Sequence, residues 1–478
     1  MFYLEIDRSS CRSLSSQICV ALREKILSGE LAAGARLPST RALSLDLHVS
    51  RNTILTAYDM LVSEGLAGSR AGSGIYVSPL ASQLPKKAYP DQQRSPLRAA
   101  CNESVQSAIS FDSGLPALSL FPRSKWNRAV TQAFFSAPDS ALGYDDPMGR
   151  PELRESIATW LLQTRGIHCT ADQILITSGA KQGLTLIAKS LLDQNSTVLM
   201  EDPCNANIRQ IVSYHTNHII PIPVDNEGLC TGLFPNDLYP SLIFSTPSRQ
   251  FPMGSVLSME RRLALIEYAS KTGSLIVEDD YDSEFRYDDA PVRALFELGD
   301  SQVIYVGTFS KLLFPSLRLG YLVLPQPLVS RMAEWKRLCD HHSNSIYQLA
   351  LSQWIESGEL ERHIARMKRV YARRRQDMLD LLDELFSDRI RVSSDPAGLH
   401  LVAEFSGVSF TPELISRIQT QHVAVVPVTK HSLLGGHDGQ LILGYAHLEP
   451  EDMRRGLTVL RNCVFHDCCE NVSARHQI

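Results

Sequence analysis

The feature that most constrains the fold of this chain is a single break in its sequence pattern. Residues 79–108 are rich in proline, glutamine, lysine and serine (beginning PLASQLPKKAYPDQQRSPLRAA) and show no apolar periodicity. Such a composition predicts a partly extended linker. Residues 1–78 have the pattern of short helices followed by a hairpin, whereas a long α/β pattern begins near Phe111. A chain of 478 residues is also too long for one ordinary domain. The sequence therefore predicts separate folding units on the two sides of the linker.

The composition of the chain narrows its class. It is 44% hydrophobic and 21% charged with a net charge of −5, as in an ordinary globular protein. The N-terminus (MFYLEIDRSS) has no basic region followed by an apolar run. No stretch approaches the ~18 uninterrupted apolar residues that suggest a membrane span. We therefore expect a cytoplasmic protein with no secretory signal and no membrane partner.

The ten cysteines form no CxxC pair. Some of them gather near the C-terminus together with histidines, namely Cys463, His466, Cys468, Cys469 and His476. Scattered thiols in a protein without a secretory signal are typically reduced and unligated. We therefore expect neither disulfides nor a metal site.

Local signals in residues 1–78 predict three helices and a hairpin. Ile18, Leu22 and Ile26 have helical spacing, and this first helix closes at Gly29. Ser39 is a good N-cap for a second helix that runs to about Leu47.

After a tight turn at His48-Val49, Ser50 caps a third helix, whose predicted inward stripe is Ile54, Tyr58, Leu61 and Val62. Two predicted strands follow, Leu66–Arg70 and Ile75–Val77, joined through Gly72-Ser73-Gly74.

This order of elements is the winged helix-turn-helix plan, in which the N-terminal residues of the second helix of the motif meet base edges. Arg51 suits guanine and Asn52 suits adenine, while Arg41 and Arg70 suit phosphates. The candidate DNA-contacting residues are Arg41, Ser50, Arg51, Asn52, Thr53, Arg70, Gly72 and Gly74. The alternative is a helical interaction domain with ordinary surface arginines. Charge does not separate the two, because residues 1–80 hold eight Lys/Arg against seven Asp/Glu.

The stretch LPSTRALSLDLHVSRNTILTAYDMLVSEGLAGSRAGSGIYV closely resembles the GntR-type winged helix. The resemblance covers roughly residues 12–78, and the caps, the turn and the wing glycines all fall in place. It implies that the head binds double-stranded promoter DNA.

Beyond the linker, short β-rich runs alternate with helical ones. The predicted strands are Gln173–Thr177, Thr197–Met200, Leu242–Ser245, Ser274–Glu278, Val303–Val306 and Leu319–Leu324. With helical periodicity between several of them, as in Lys181–Leu192 and Met259–Lys271, this pattern favours a mostly parallel sheet covered on both faces. After about Pro325 come longer helices and the strands His400–Phe405, Val423–Pro427 and Leu441–Tyr445, which predict a smaller α+β domain.

Residues at predicted strand ends form the set that pyridoxal chemistry needs. Lys311 offers an amine for a Schiff base, and Asp279 a carboxylate for the pyridinium nitrogen. Arg318 suits a phosphate dianion. Ser178-Gly179-Ala180 precedes a helix whose first N–H groups can hold the same phosphate.

The region from Phe111 to about Leu460 resembles the fold-type I aminotransferases, and the whole chain resembles the MocR-type regulators. Other family-like stretches are Tyr144–Gly149, Ile276–Tyr287 and Tyr305–Leu324. The resemblance implies pyridoxal 5′-phosphate (PLP) as the cofactor. By resemblance Lys311 is the aldimine lysine, Asp279 the pyridine partner, Tyr281 a neighbour of the phenolic oxygen and Arg318 a phosphate ligand. The candidate cofactor-binding residues are Lys311, Asp279, Tyr281, Arg318, Ser178, Gly179, Ala180, Ser310 and Tyr144.

The expected fold is thus an N-terminal winged helix-turn-helix, mostly α with a β wing, followed by an α/β aminotransferase-like domain with a smaller α+β subdomain. The expected boundaries are 1–78 for the head, 79–108 for the linker, 109–325 for the large PLP-binding domain, 326–470 for the small subdomain and 471–478 for a tail. The resemblance also implies a head-to-tail, domain-swapped homodimer. RNA polymerase is a further candidate partner, and a nucleoid-associated location in the cytoplasm follows from DNA binding.

Several positions depart from the family pattern. Cys204-Asn205 stands where an aromatic residue usually stacks on the cofactor ring, and Asn207 where an arginine is often found. The Asn-Pro-x-Gly motif of aminotransferases is replaced by Phe251-Pro252-Met253-Gly254. The arginine that usually holds a substrate carboxylate has no clear counterpart, since the only arginine between residues 400 and 450 is Arg417. Lys430 and His431 are the candidate substitutes.

Three functions stay open at this point. The first is a regulator that senses PLP or an amino compound through Lys311 and changes promoter binding or activation. The second is an active aminotransferase that carries a DNA-binding head. The third is a regulator whose aminotransferase-like domain is only a scaffold and does not use PLP.

Overall fold

The computed structural model describes residues 4, 6–8, 12–70, 74–80, 109–287, 293–299, 301–393 and 396–465. The chain divides into two units, Met1–Ser104 and Val105–Ile478. Most of the predicted linker, the wing residues 71–73 and the C-terminal residues 466–478 lie outside the described residues. The predicted tail and most of the C-terminal cysteine and histidine group therefore lie outside them as well.

The first unit contains three helices and a hairpin in the predicted order. The helices are α1 (Leu14–Leu27), α2 (Thr40–Asp46) and α3 (Arg51–Ser63), and the antiparallel strands are β1 (Ala67–Arg70) and β2 (Gly74–Val77). Ser39 Oγ accepts the backbone N–H of Ala42 and Ser50 Oγ that of Thr53, each at 3.1 Å. These N-caps satisfy donors that a helix start leaves unpaired, which explains why α2 and α3 begin where they do.

One detail of the predicted head core is wrong. The buried stripe of α3 is Ile54, Ala57, Tyr58 and Leu61, whereas Val62 is 38% exposed. The observed stripe follows the i, i+3, i+4, i+7 spacing of a single helix face, and Val62 lies one residue beyond it. Tyr58 also donates its hydroxyl proton to the Pro38 carbonyl at 2.8 Å, which ties α3 to the loop before α2.

An eight-stranded sheet forms the centre of the second unit. Its strands are β4 (Ile174–Thr177), β5 (Thr197–Asp202), β6 (His218–Asp225), β7 (Gly228–Leu229), β8 (Leu242–Ser245), β9 (Leu275–Asp280), β10 (Val303–Thr308) and β11 (Gly320–Val323). Their order in the sheet is β4-β11-β10-β9-β8-β5-β6-β7. The five strands from β10 to β6 are parallel, while β11 and β7 run antiparallel to their neighbours. The prediction of a mostly parallel sheet is confirmed for this central part.

Both faces of the sheet are buried, as parallel strands require. Successive residues of β9 pack into different clusters: Ile276 lies in the cluster that contains Trp160, and Val277 in the cluster that contains Ile187. The helices of this part are α4 (Arg123–Ser136), α5 (Pro151–Arg165), α6 (Ala180–Leu191), α7 (Ala206–Ser213) and α8 (Met259–Thr272).

Two helices that follow the sheet in the chain, α9 (Val329–Asp340) and α10 (Ser345–Glu356), pack against helices of the large part, α9 on α6 and α10 on α4 and α5. The smaller α+β part contains the long helix α11 (Glu359–Phe386), α12 (Pro412–Thr420) and α13 (Pro450–Phe465). Strands β12 (Ile390–Ser393), β13 (His400–Phe405), β15 (Val426–Pro427) and β16 (Gln440–Gly444) make an antiparallel sheet in the order β12-β13-β16-β15. The first strand of the unit, β3 (Ile109–Ser110), pairs with β14 (Val423–Ala424), so residues just after the predicted linker join this part.

A buried ion pair ties α5 to the central sheet. Arg165 ends α5, and its Nη2 lies 2.7 Å from Oδ2 of Asp280 at the end of β9. Asp280 also accepts the Tyr305 hydroxyl at 2.7 Å, and Arg165 donates to Ser248 Oγ at 2.6 Å. Burial alone would lower the pKa of Arg165, but the Asp280 carboxylate raises this pKa above its usual value. The Arg165 guanidinium therefore stays charged inside the protein.

We expect Arg165→Met to lower the free energy of unfolding of the second unit by about 3–5 kcal/mol, because it leaves the buried Asp280 carboxylate without its cation. The measurement is urea unfolding followed by near-ultraviolet circular dichroism. Arg261→Met is the matched control: it breaks the more exposed pair with Asp225, at 2.6 Å, and should cost about 1 kcal/mol or less. Equal losses in the two variants would contradict a special role for the buried pair.

Candidate functional site

Acidic residues, buried or half-buried, occupy the end of β9 and the residues just after it. The segment Glu278–Glu284 (EDDYDSE) holds five carboxylates. Glu278 is fully buried, and its two oxygens accept the N–H groups of Leu295 and Phe296, each at 2.9 Å. Burial raises the pKa of Glu278 to about 7. So many carboxylates in one place make this edge of the sheet a strong attractor for cations.

Asp279 is the member of this segment that faces an open cavity. It pairs with Val306 in the parallel ladder, so it lies at the carboxyl end of β9 as predicted. Burial raises its pKa to about 7, and neighbouring Asp280 and Glu201 add to the effect. No hydrogen bond to its carboxylate occurs among the described residues. Asp279 is therefore available to a group that enters the cavity with a positive charge or an N–H.

Lys311 follows β10 and reaches the same cavity. Its Nζ donates to the Gly114 carbonyl at 2.5 Å, and a Cβ on Gly114 would lie only 3.0 Å from that nitrogen. Burial lowers the pKa of Lys311, while the carboxylates of Asp112, Asp282 and Asp279 oppose this effect. A lysine whose pKa is lowered holds more of the neutral amine, which is the nucleophilic form.

The cavity has a volume of about 400 Å³. Lys311, Asp279 and Tyr281 all line it, so the structure brings these three predicted residues together. The other lining residues are Ser110, Asp112, Ser113, Gly114, Asn205, Asn207, Phe251, Ala424, Val426, Lys430 and His431. Because these residues come from the large sheet, the start of the unit and the smaller part, the cavity exists only when all three have folded together.

Ser178, Gly179 and Ala180 lie between β4 and α6. Ala180 begins the 12-residue helix α6, and Gly179 at its N-cap has φ 86° and offers no side chain to the free N–H groups. The Arg318 guanidinium donates to the Ser178 carbonyl, and a Cβ on Gly179 would lie 3.2 Å from its Nη1. Arg318 has the left-handed φ of 53°, which turns its side chain back towards this helix start. A guanidinium beside unpaired N–H groups is suited to a phosphate.

Two predicted cofactor residues have weaker structural support. The Ser310 backbone N–H donates to Thr308 Oγ1 at 3.1 Å, and the residue lies between β10 and Lys311. Tyr144 is 88% exposed, and its ring centroid lies 5.1 Å from that of His341. Neither residue lines the cavity that holds Lys311. Arg318, Ser178, Gly179 and Ala180 do not line it either, and the roles of all six remain predictions.

Positions that depart from the family pattern have other structural uses. Asn205 N-caps α7 by accepting the Asn207 N–H at 3.0 Å, so a carboxamide occupies the place where a ring was expected. The Phe251 ring lines the cavity and contacts Tyr281 edge-on, with centroids 5.8 Å apart.

Both candidate substitutes for the missing arginine line the cavity, but His431 provides no charge. Burial lowers the pKa of His431 to about 4, so its ring is neutral. Arg209 donates to the carbonyls of Lys430 and His431, each at 3.2 Å, which holds this turn against α7. Arg417 is elsewhere, because it donates to the Cys463 carbonyl.

Three residues of this region escaped the sequence reasoning. Asp112 and Gly114 lie beside Nζ of Lys311. The motif FDSGLP, which begins at Phe111, is the local sequence signal that could have indicated them. Arg249 is 3% exposed and ion-paired with Asp282 at 3.1 Å. Nothing in its local sequence indicates burial, because the partner lies 33 residues along the chain.

The head presents most of its predicted DNA-contacting residues at its surface. Arg41, Arg51 and Asn52 are exposed. Arg51 Nε donates to Thr40 Oγ1 at 3.1 Å, which holds one edge of the guanidinium and leaves its two terminal nitrogens available.

The other predicted DNA-contacting residues have local roles. Ser50 Oγ lies 2.8 Å from Thr53 Oγ1, and these two residues form the cap of α3. In the wing, the Arg70 guanidinium lies over the Tyr76 ring at 4.7 Å. Gly74 has φ 109°, and a Cβ there would lie 3.2 Å from Arg36 Nε. Gly72 lies outside the described residues.

Within the described ranges, no group of three or more His, Cys, Asp and Glu side chains is placed to hold a metal ion. In the same part of the chain, no helix is both long and apolar enough to cross a membrane.

Comparison with known families gives one match for each unit. Residues 106–460 match the family described as aminotransferase class I and II, and residues 14–77 match the bacterial regulatory proteins of the gntR family.

Relatives match along nearly the whole chain. Over 472 residues the chain is 33% identical to the probable rhizopine catabolism regulatory protein MocR of Rhizobium meliloti, covering 96% of this chain and 95% of that protein. It is 29% identical to the HTH-type pyridoxine biosynthesis transcriptional regulator PdxR of Corynebacterium glutamicum, covering 95% of this chain and 96% of that protein.

Solved aminotransferases share the fold of the second unit. The kynurenine aminotransferase of Pyrococcus horikoshii, in complex with PMP, has a TM-score of 0.70 at 26% identity over 80% of this chain and 97% of that one. The α-aminoadipate aminotransferase LysN of Thermus thermophilus, complexed with N-(5′-phosphopyridoxyl)-L-leucine, has a TM-score of 0.69 at 28% identity over 78% of this chain and 94% of that one.

The two carboxylates Asp279 and Asp282 are expected to differ in how much their replacement by Asn changes stability. The pKa of Asp279 is raised from 3.8 to about 7, chiefly by burial. Between these values the folded protein keeps a proton that the unfolded chain releases, so the contribution of Asp279 to stability falls as the pH rises through this window. Asp279→Asn should therefore make the cofactor-free protein more stable above pH 7, by about 1 kcal/mol or more.

Asp282→Asn is the matched control, because burial also raises the pKa of Asp282, to about 6, but its carboxylate pairs with Arg249. We expect Asp282→Asn to gain less stability above pH 6 than Asp279→Asn gains above pH 7, because it also leaves the buried Arg249 without its ion-pair partner. Thermal unfolding between pH 4 and pH 9 measures both effects. An equal change of stability in Asp279→Asn and Asp282→Asn would contradict the assignment of Asp279 as the unpaired carboxylate.

Proposed function

The chain belongs to the MocR-type regulators, in which a GntR-type DNA-binding head is joined to an aminotransferase class I and II domain, and we propose that it controls transcription in response to PLP or an amino compound. Regulators with this head bind promoter DNA. The observation that carries the proposal is the cavity in which the Lys311 amine, the unpartnered Asp279 carboxylate and the Tyr281 hydroxyl meet. In the proposal, occupancy of this cavity changes promoter binding or activation.

The residues of the second unit fit PLP at both ends of the molecule. Asp279 would pair with the pyridine nitrogen, and Tyr281 would contact the phenolic oxygen. Arg318 and the N–H groups at the start of α6 would hold the phosphate. When bound, the cofactor supplies an aldehyde that condenses with a primary amine. Lys311, with its pKa lowered by burial, provides such an amine.

The lining of the cavity favours sensing over turnover. Transamination needs a firmly held substrate carboxylate, and a bidentate arginine is the usual means. No arginine lines this cavity among the described residues, and Lys430 is its cation besides Lys311. Lys430 supplies a point charge without the planar fork of a guanidinium. This observation favours the function of a regulator over that of an active aminotransferase.

The alternative of a scaffold that does not use PLP rests on Asn205. A carboxamide in place of a stacking ring would cost about 1 kcal/mol of cofactor binding. Such a loss weakens binding but leaves the contacts of Lys311, Asp279 and Arg318 in place. We therefore propose PLP as the cofactor.

Family resemblance supports two further parts of the proposal. The first is a head-to-tail homodimer in which each head packs across the partner's large domain. Two linked heads could then read two half-sites of an operator. The second is a contact with RNA polymerase at the promoter.

We expect protein loaded with PLP and then desalted to show a visible absorption band that Lys311→Ala lacks, because only an amine at this position can hold the aldehyde covalently. Lys430→Ala is the matched control: it removes another lysine of the same cavity and should keep the band. Candidate amines added to the loaded wild type should shift the band and thereby identify the effector. A colourless wild type would instead favour the scaffold alternative.

We expect Arg51→Ala to weaken binding to the DNA upstream of the protein's own gene by roughly 10- to 100-fold, because a bidentate contact to guanine is lost. The measurement is fluorescence anisotropy at a fixed salt concentration, with a scrambled duplex for comparison. Lys25→Ala serves as the control, since this head lysine pairs with Glu30 on another surface and its loss should leave the affinity unchanged. If both variants bind like wild type, the first turn of α3 does not read the operator.

A further inference from the structure

Arg249 is a buried cation next to the proposed cofactor cavity. Neither the sequence pattern nor the proposed cofactor contacts give this arginine a role. It lies in the loop after β8 and is 3% exposed. Its Nη1 donates to the Tyr281 hydroxyl oxygen at 3.0 Å and to Asp282 Oδ2 at 3.1 Å. Its Nη2 donates to the His400 carbonyl at 2.7 Å. One guanidinium thus joins the acidic segment after β9 to strand β13.

The surroundings of Arg249 are shaped to hold a guanidinium. A Cβ on Gly398 would lie 2.3 Å from Cζ of Arg249, so only a glycine leaves space for this side chain. Gly398 also has φ 80°, a conformation that favours glycine. The arginine is therefore packed in one position and does not move freely between partners.

The contact with Arg249 decides which way the Tyr281 hydroxyl donates. A guanidinium carries donors only, so the Tyr281 oxygen must be the acceptor in this hydrogen bond. The hydroxyl proton is then left for another acceptor, and the described residues provide none. Because Tyr281 lines the cavity, the acceptor that remains is a group bound there.

Arg249 also affects the charges around Lys311. Asp282 is one of the three carboxylates that favour a proton on Nζ, together with Asp112 and Asp279. By pairing with Asp282, Arg249 neutralises one of these three. It therefore weakens the hold on that proton without contacting the lysine.

We propose that Arg249 is a positioning residue, which fixes the Tyr281 hydroxyl as a donor towards the phenolic oxygen of PLP and cancels the charge of Asp282 beside Lys311. The inference rests on the proposed function, because it requires PLP in the cavity. A hydroxyl that donates to the phenolic oxygen stabilises negative charge there, so this oxygen binds the proton on Nζ less strongly. With PLP bound, Nζ of Lys311 would therefore hold its proton less firmly at neutral pH.

The charged and titratable groups that face Tyr281, Lys311 and Arg249 come from several parts of the fold. Tyr281 is faced by Arg249, Asp282 and Asp279, and Lys311 by Asp112, Asp282 and Asp279. Arg249 is faced by Tyr281, Asp282, Tyr445, Tyr287 and His400. Burial keeps the pKa of His400 well below its usual value, so this ring stays neutral and does not replace the arginine as a cation.

The test is a pH titration of the visible absorption of the PLP-loaded full-length protein, whose midpoint reports the proton on Nζ. We expect Arg249→Met to raise this midpoint by about one pH unit or more, since an uncompensated Asp282 and a released Tyr281 hydroxyl act in the same direction. Arg249→Lys keeps the charge and should move the midpoint by less. The matched control is Arg262→Met, because Arg262 is equally buried but, in the part of the chain that the structure describes, donates only to the carbonyls of Leu257, Arg293 and Pro247.

Combining Arg249→Met with Tyr281→Phe separates the proposed route from a general loss of structure. If Arg249 acts through the hydroxyl, the shift in the double variant is smaller than the sum of the two single shifts. Additive shifts would overturn that route. Should Arg249→Met not fold, Gly398→Ala displaces the guanidinium from its place, and we expect a shift in the same direction.

The outcomes distinguish this inference from the function on which it rests. A wild type without a visible band overturns the proposed use of PLP and this inference with it. A wild type with a band, whose midpoint is unchanged in Arg249→Met or moves equally in Arg262→Met, overturns only the role of Arg249.

Discussion

Burial of the acidic segment Glu278–Glu284 is the constraint on which the second unit depends. Carboxylates removed from water are costly unless cations or N–H groups meet them. In this fold Arg165 pairs with Asp280, Arg249 pairs with Asp282, and two backbone N–H groups satisfy Glu278. Each contact fixes a different element against the end of β9. The groups that neutralise these carboxylates therefore also determine how the elements around the site are arranged.

Asp279 is the exception that gives this arrangement its chemistry. Glu278, Asp280 and Asp282 have partners inside the protein, whereas the Asp279 carboxylate faces the cavity with none among the described residues. The protein therefore bears the cost of a buried acid that only an incoming group can relieve. Lys311 opens onto the same space, so the fold has placed an unsatisfied acid and a deprotonation-prone amine at two walls of one cavity. Such unsatisfied groups are typical of functional sites.

The two halves of the cavity differ in how firmly they are built. The half made by the carboxyl ends of the strands is held by buried ion pairs and short hydrogen bonds. The half formed by Asn205, Asn207 and Lys430 offers carboxamides and a single point charge. A ligand can shift a regulator only by binding one arrangement better than another. A rigid cofactor side with a lightly built effector side suits that task better than repeated turnover of a firmly held substrate.

The sequence by itself determined everything that depends on local pattern: the caps Ser39 and Ser50, the strands of the central sheet, and the strand-end positions of Asp279 and Lys311. These follow from periodicity and from residue preferences within a few positions, which the chain carries wherever it folds. The predicted buried stripe of α3 was wrong at one residue, because Val62 lies off the helix face that packs into the core of the head. Only the tertiary structure placed Arg249 under Tyr281 and Asp112 beside Lys311. Those contacts join residues that lie tens to hundreds of positions apart in the sequence. Whether an arginine is buried in an ion pair or exposed at the surface depends on how the whole chain packs.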